Sequence, residues 1–181
     1  MNAPVTSEPV TSAPANETNP GPLVAAGLLL GTGLGGFVDG IVLHQILQWH
    51  DMLSTWRPPT TLVDLKVNMV WDGLFHAGTW SMTVAGVILL FRAGKRADVP
   101  WSGRVLLGAV LAGWGLFDVV EGVIDHEILG VHHVHPGSGE LGWDLGFLGF
   151  GLALMVLGVF VMRWERRARE PRAAVAHGES T

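Results

Sequence analysis

Residues 105–129 read VLLGAVLAGWGLFDVVEGVIDHEIL. The first half carries no charge. The second half carries Asp118, Glu121, Asp125, His126 and Glu127. At ~1.5 Å per residue a helix of this length reaches about 37 Å, more than the ~30 Å hydrocarbon core of a bilayer. The stretch therefore predicts a membrane-spanning helix whose ionisable groups crowd toward one end. Charge at membrane depth is costly and faces a protein interior with a partner.

Three more stretches of this kind surround it, at about 23–49, 62–91 and 141–164, and the helix just quoted is taken to begin at about 104. The 181-residue chain is 49% hydrophobic and only 15% charged, well below the charge of an ordinary soluble domain. Many of its 25 glycines fall inside the apolar stretches, as suits helices that must approach closely in lipid. The expected fold is all-α, an integral membrane four-helix bundle occupying residues 22–165. A disordered tail over 1–21 precedes it, rich in Pro, Ser and Thr, and a polar basic tail over 166–181 follows. Thr61 and Asp64 have the spacing of a capping box at the start of the second helix. No internal repeat is evident. With no cysteine, disulfides, thiolate metal sites and thiol catalysis are excluded. No basic stripe suggests nucleic acid.

Lys and Arg set the expected orientation. Nine of them (Arg92, Lys95, Arg96, Arg104, Arg163, Arg166, Arg167, Arg169 and Arg172) lie on the side shared by the second loop and the C-terminal segment, and only Arg57 and Lys66 on the other. Both termini are thus expected in the cytoplasm of a bacterium, with the protein multi-pass in its inner membrane.

The polar residues then fall into one layer. Counted from each helix's cytoplasmic end, Asp39, His44, Asp72, His76, Asp118, Glu121, Asp125 and Asp144 all lie between roughly 21 and 31 Å up. Asn68, Asp72 and His76 form one helical stripe, and Asp118, Glu121 and Asp125 another. Carboxylates gathered in low dielectric need cations or protons, and no Lys or Arg lies at that depth. Imidazole with carboxylate suits a divalent transition metal, Cu, Zn, Fe or Mn. The expected ligands are Asp39, His44, Asp72, His76, Glu121, Asp125 and His126, joined by His132 and His133 of the third loop. His50, Asn68, Asp118 and Asp144 are expected to support them.

The segments GFVDGIVLHQILQWHDML (36–53), WDGLFHA (71–77) and VVEGVIDHEILGVHHVH (119–135) resemble the bacterial four-helix membrane proteins grouped as domain-of-unknown-function family 2243. The resemblance covers about residues 23–163. It implies four spans and carries no activity with it; the occurrence of such proteins alongside respiratory oxidase assembly factors suggests copper handling and an assembly partner. Asp51 and Glu127 stand where relatives often have a second His, which argues against them as ligands. The leading expectation is a metal-binding membrane protein with its site near the outer face, embedded in lipid, as a homo-oligomer or beside a respiratory complex. Two alternatives stand beside it: a metal-dependent oxidoreductase acting on a lipophilic substrate, and a proton or ion pathway without metal.

Overall fold

The computed structural model describes residues 18–178, with side chains to residue 168. Most of the expected N-terminal tail, residues 1–17, lies outside the described residues, as do 179–181. Four helices are long and apolar enough to cross a membrane, and the described residues contain no strand. Helix α1 spans Gly21–Val38 and continues as a wider π-helical segment, Asp39–Ile46. Helix α2 spans Leu62–Gly94, with Thr61 capping the backbone N–H of Asp64 (3.1 Å). Helix α3 spans Gly103–Glu121, starts at the Ser102 cap, and also ends in a π segment, Gly122–Ile128. Helix α4 spans Glu140–Gly178. Two boundaries differ from expectation. The first helical segment ends at Ile46 rather than near residue 49. The last helix runs on through residues read as a polar tail.

Helices α1 and α3 form the central pair, with α2 packed on α1 and α4 on α3. Of the most apolar window of each helix, 44% is buried in α1 and α3 against 11% in α2 and α4. The outer pair therefore presents its Leu, Val and Phe side chains outward, as lipid requires. Glycine makes the central contact. A Cβ on Gly31 would collide with the Val110 carbonyl of α3, and a Cβ on Gly113 with the Leu28 carbonyl of α1. Small residues let the two backbones touch.

The two ends of the molecule differ in chemistry. At the end bearing the N-terminus, Leu23, Ala93, Val99 and Val105 form an apolar core. At the other end, Asp39, His44, His50, Asp72, Glu121, His126, His132 and Asp144 are all buried.

The glycine contacts are reciprocal, and the reciprocity extends through the molecule. Asp39-x4-His44-x5-His50 in the first half recurs as Glu121-x4-His126-x5-His132 in the second. Trp71-Asp72 on α2 matches Trp143-Asp144 on α4. Both inner helices widen into π segments at the same place. Each then ends in a left-handed residue, Gln48 (φ 51°) in one and Gly130 (φ 56°) in the other. The chain is thus two similar helix pairs, α1–α2 and α3–α4, each running in the same direction and related by a pseudo-twofold axis along the inner pair. This corrects the expectation of no internal repeat. The two copies differ at most positions, and only the spacing of the polar residues and glycines persists.

Candidate metal centre

The π segments decide what faces inward. On an α-helix, residues five apart point roughly 140° away from each other. A π-helix bonds i to i+5, and the widened turn brings such residues to one face. Asp39 and His44 thereby meet, with His44 Nε2 3.4 Å from Asp39 Oδ2. In the second half Glu121 and His126 meet, with His126 Nε2 3.1 Å from Glu121 Oε1.

The loops supply the other two imidazoles. After each left-handed residue the chain turns back over the helix ends, placing His50 and His132 at the centre. Their rings stack on one another, 4.6 Å between centroids and 7° from parallel. The loops exchange hydrogen bonds across the axis. His50 Nδ1–H donates to the Val134 carbonyl (2.8 Å), and His132 Nδ1–H donates to the Met52 carbonyl (3.1 Å). These are matching positions in the two halves.

The outer helices fix the remaining rings. His44 Nδ1–H donates to Asp72 Oδ1 (3.0 Å), which also accepts from the backbone N–H of Met52 (2.9 Å). In the second half Asp144 Oδ1 accepts from the N–H of Val134 (2.9 Å) and lies 3.4 Å from His126 Nδ1. The other oxygen of Asp144 accepts from His133 Nδ1–H (2.7 Å). Phe75 stacks on His44, and Phe147 lies against His126.

These bonds settle the tautomers. A carbonyl or carboxylate can only accept, so Nδ1 of His44, His50 and His132 carries a proton and Nε2 faces inward, where it can hold a second proton or a cation. Burial above all pushes the His50 pKa down to about 2, which keeps that ring neutral. His132 Nε2 nevertheless lies 2.9 Å from Glu121 Oε1. A lone pair facing a carboxylate oxygen is repulsive unless a proton or a cation joins them. Seven buried side-chain atoms have no hydrogen-bond partner among the described residues: Asp39 Oδ2, His44 Nε2, His50 Nε2, Asp118 Oδ2, Glu121 Oε2 and both ring nitrogens of His126. Such atoms are costly unless something else satisfies them.

Two groups of donors are close enough to hold a metal ion, His44 with His50 and His132, and Glu121 with His126 and His132, each within 4.8 Å. Donors around a tetrahedral ion at ~2.0–2.1 Å lie ~3.3 Å apart. The contacts of 2.9 and 3.1 Å at Glu121 are near that spacing.

Among the expected ligands, the structure gathers Asp39, His44, Glu121, His126 and His132, with Asp72 one step behind His44. His50, expected in support, stands among the donors. His76 is drawn away. Its Nδ1–H donates to the Asp72 carbonyl of its own helix (2.8 Å), and its ring packs against Gly40. Leu148 fills the same place against Gly122 in the other half, so that contact needs only bulk. Asp125 is also separate. The π turn rotates it into a half-buried position facing a cleft. His133 reaches the centre only through Asp144. Asn68 ties down the first loop, accepting from Leu53 N–H (2.9 Å) and donating to the Arg57 carbonyl (2.7 Å). Asp118 is buried beside Asp39 and Glu121, with Gly36 in its place in the other half.

Two cavities reach the centre. One, of about 440 Å³, opens between the loops and is lined by Trp49, His50, Asp51, Ser54, His133 and Glu140 among others. The second, of about 340 Å³, lies between α1, α2 and α3 within the spanning region. Its walls are Phe75, Met82, Leu116, Phe117 and Val120, and Glu121 and Asp125 line its polar end.

Residues 26–165 match the family described as predicted membrane protein (DUF2243), and the chain belongs to it. No curated protein and no solved structure matches the chain.

Proposed function

We propose that this protein is a membrane metal-binding protein whose centre lies between the π ends of α1 and α3 and the two loops that cover them. One observation carries this reading. His44, His50 and His132 each commit Nδ1 to an acceptor outside the cluster, which turns Nε2 of His44 toward Asp39 and Nε2 of His132 toward Glu121 and leaves Nε2 of His50 buried without a partner. That is how metal-binding imidazoles are oriented in general, with the second ring nitrogen donating to a carboxylate or carbonyl. The donors are imidazole and carboxylate with no sulfur, which suits Zn, Fe, Mn or Cu(II) better than Cu(I). A copper-handling role would therefore concern Cu(II). The Lys and Arg count favours a centre facing the non-cytoplasmic side, reached through the cavity between the loops.

Elemental analysis of the detergent-purified protein tests the reading. Wild type is expected to retain a stoichiometric transition metal after dialysis. His132→Ala is expected to lose most of it, whereas His76→Ala is expected to keep it. A wild-type protein that binds no Zn2+, Fe2+, Mn2+ or Cu2+ on reconstitution refutes it.

The apolar cleft ending at Glu121 favours a second reading, a metal-dependent oxidoreductase whose lipophilic substrate enters from the bilayer. Filling the cleft with Val120→Trp should then abolish turnover of such a substrate without displacing the metal. Unchanged turnover in that variant excludes the cleft as the route.

A further inference from the structure

We infer that the centre holds two metal ions, one for each half of the duplicated fold, the second bound by Glu121, His126 and His132 and the first by the matching imidazoles His44 and His50. The inference rests on the metal-binding reading above and goes beyond it.

The duplication supplies the first argument. Among the polar residues of the two halves, four matched pairs keep their chemistry: Asp39 with Glu121, His44 with His126, His50 with His132, and Asp72 with Asp144. Other polar residues near the centre have mates of a different kind. His76 matches Leu148, Asp125 matches Leu43, and Asp118 matches Gly36. The pattern preserved in both copies is therefore one carboxylate, two imidazoles and one supporting aspartate.

The donor geometry is the second argument. The two candidate groups meet only at His132. With Nδ1 of His132 committed to the Met52 carbonyl, its Nε2 can serve one ion and no more. Its distance of 2.9 Å from Glu121 Oε1 assigns it to the ion of the second half, with His126. His50 is its mate across the axis and is left with His44, and Asp39 approaches this pair through His44, 3.4 Å from its Nε2. The second ion then draws Glu121, His126 and His132 from one Glu-x4-His-x5-His segment, and the first draws His44 and His50 from the matching segment. Two donors on one ion at ~2.0–2.1 Å can be no more than ~4.2 Å apart, so four imidazoles and two carboxylates spread along the axis suit two spheres better than one.

The unpartnered atoms are the third argument. Asp39 Oδ2, His44 Nε2 and His50 Nε2 lie in the first half, and Glu121 Oε2 and both His126 nitrogens in the second. One ion would leave several of these six unsatisfied, whereas two account for atoms on both sides of the axis. The stacked His50 and His132 rings lie between the two positions. Two imidazoles and a carboxylate on the ion of the second half leave coordination positions open, the arrangement found at Fe(II) centres that bind a further small ligand.

The test is a stoichiometry. Protein stripped with chelator, reloaded with Co2+ and dialysed should carry two Co2+ per chain by elemental analysis. His44→Gln and His126→Gln should each carry one, and the double variant none. Magnetic measurements on the doubly loaded protein should show the two ions coupled, and the single variants should lose that coupling. One Co2+ per wild-type chain, lost in either single variant, overturns the two-ion inference and leaves the metal-binding reading intact. No Co2+, Zn2+ or Fe2+ bound by wild type overturns both. Circular dichroism and gel filtration identify a variant that has failed to fold, and Asp39→Asn and Glu121→Gln then replace the histidine pair.

Discussion

Asp72→Asn separates a positioned imidazole from one that merely packs. Asp72 Oδ1 takes two hydrogen bonds, from His44 Nδ1 at 3.0 Å and from Met52 N–H at 2.9 Å. Asparagine keeps the shape and can keep the bond to Met52, so the first loop stays in place. What it removes is the charge facing His44. A hydrogen bond to a charged group contributes ~1.5–3 kcal/mol, against ~0.5–1.5 kcal/mol for a neutral one. The difference of roughly 1–2 kcal/mol corresponds to about a 5–30-fold loss in affinity. That falls within the ~10–100-fold range over which supporting groups tune metal sites. Competition against a chromophoric chelator in detergent measures this directly, with Zn2+ as the probe. The weaker of two binding events should move, and the other should stay. Refutation takes a definite form: affinity unchanged in Asp72→Asn but lost in His44→Ala. Stacking on Phe75, at 5.7 Å between centroids, would then be enough to hold the ring.

Other outcomes follow from the same coordinates. Gln48 sits at φ 51° where its mate Gly130 sits at φ 56°. Gln48→Gly should therefore stabilise the protein by about 1 kcal/mol and Gly130→Ala should destabilise it by a similar amount, as read by denaturant unfolding in mixed micelles. Gly31→Leu drives a side chain into the Val110 carbonyl, which cannot rotate away, so a loss on the order of 3 kcal/mol or more is expected, with lower yield of folded protein. In metal-stripped protein, His50 stays neutral down to about pH 2 in the fold but protonates near ~6.5 when unfolded. The unfolded chain then binds more protons, so stability is fully present above ~6.5 and falls as pH drops below it. Melting curves from pH 8 to pH 4 should show that slope, and His50→Gln should flatten it.

The apolar lengths made the four spans legible, and the agreement in height made the polar layer legible, because both depend only on rise per residue. Ligand facing was harder to read. Assigning faces by α-helical periodicity put Asp125 in a stripe with Asp118 and Glu121, and put His76 in a stripe with Asp72. The π segments break that periodicity at Asp39 and Gly122, and hydropathy carries no mark of a π turn. His50 is hard to place for a related reason. A loop residue beyond a span reads as interfacial, yet the left-handed Gln48 folds the chain inward and buries it. One signal does lie in the sequence: the spacing Asp-x4-His-x5-His recurs as Glu-x4-His-x5-His. Five residues is an unproductive spacing on an α-helix, so its recurrence marks a shared departure from the α geometry.

The duplication also explains how a membrane protein tolerates so much buried charge. Each half alone has one inner helix with a carboxylate and an imidazole facing outward from its own pair, and a loop whose His needs a carbonyl from the other half. His50 finds it at Val134, and His132 finds it at Met52. Neither half can satisfy its own central ring, so the polar layer is complete only when α1 and α3 touch. The close contact at Gly31 and Gly113 makes that approach achievable, and the apolar core around Leu23 and Val105 anchors the opposite end. Polar satisfaction and helix packing therefore demand the same geometry. The departures from symmetry then gain meaning. Asp118 and Asp125 add carboxylates only to the second half, and the apolar cleft ends at Glu121 of that same half. If the two ions differ in reactivity, the one held by Glu121, His126 and His132 is the one whose surroundings differ in charge and access.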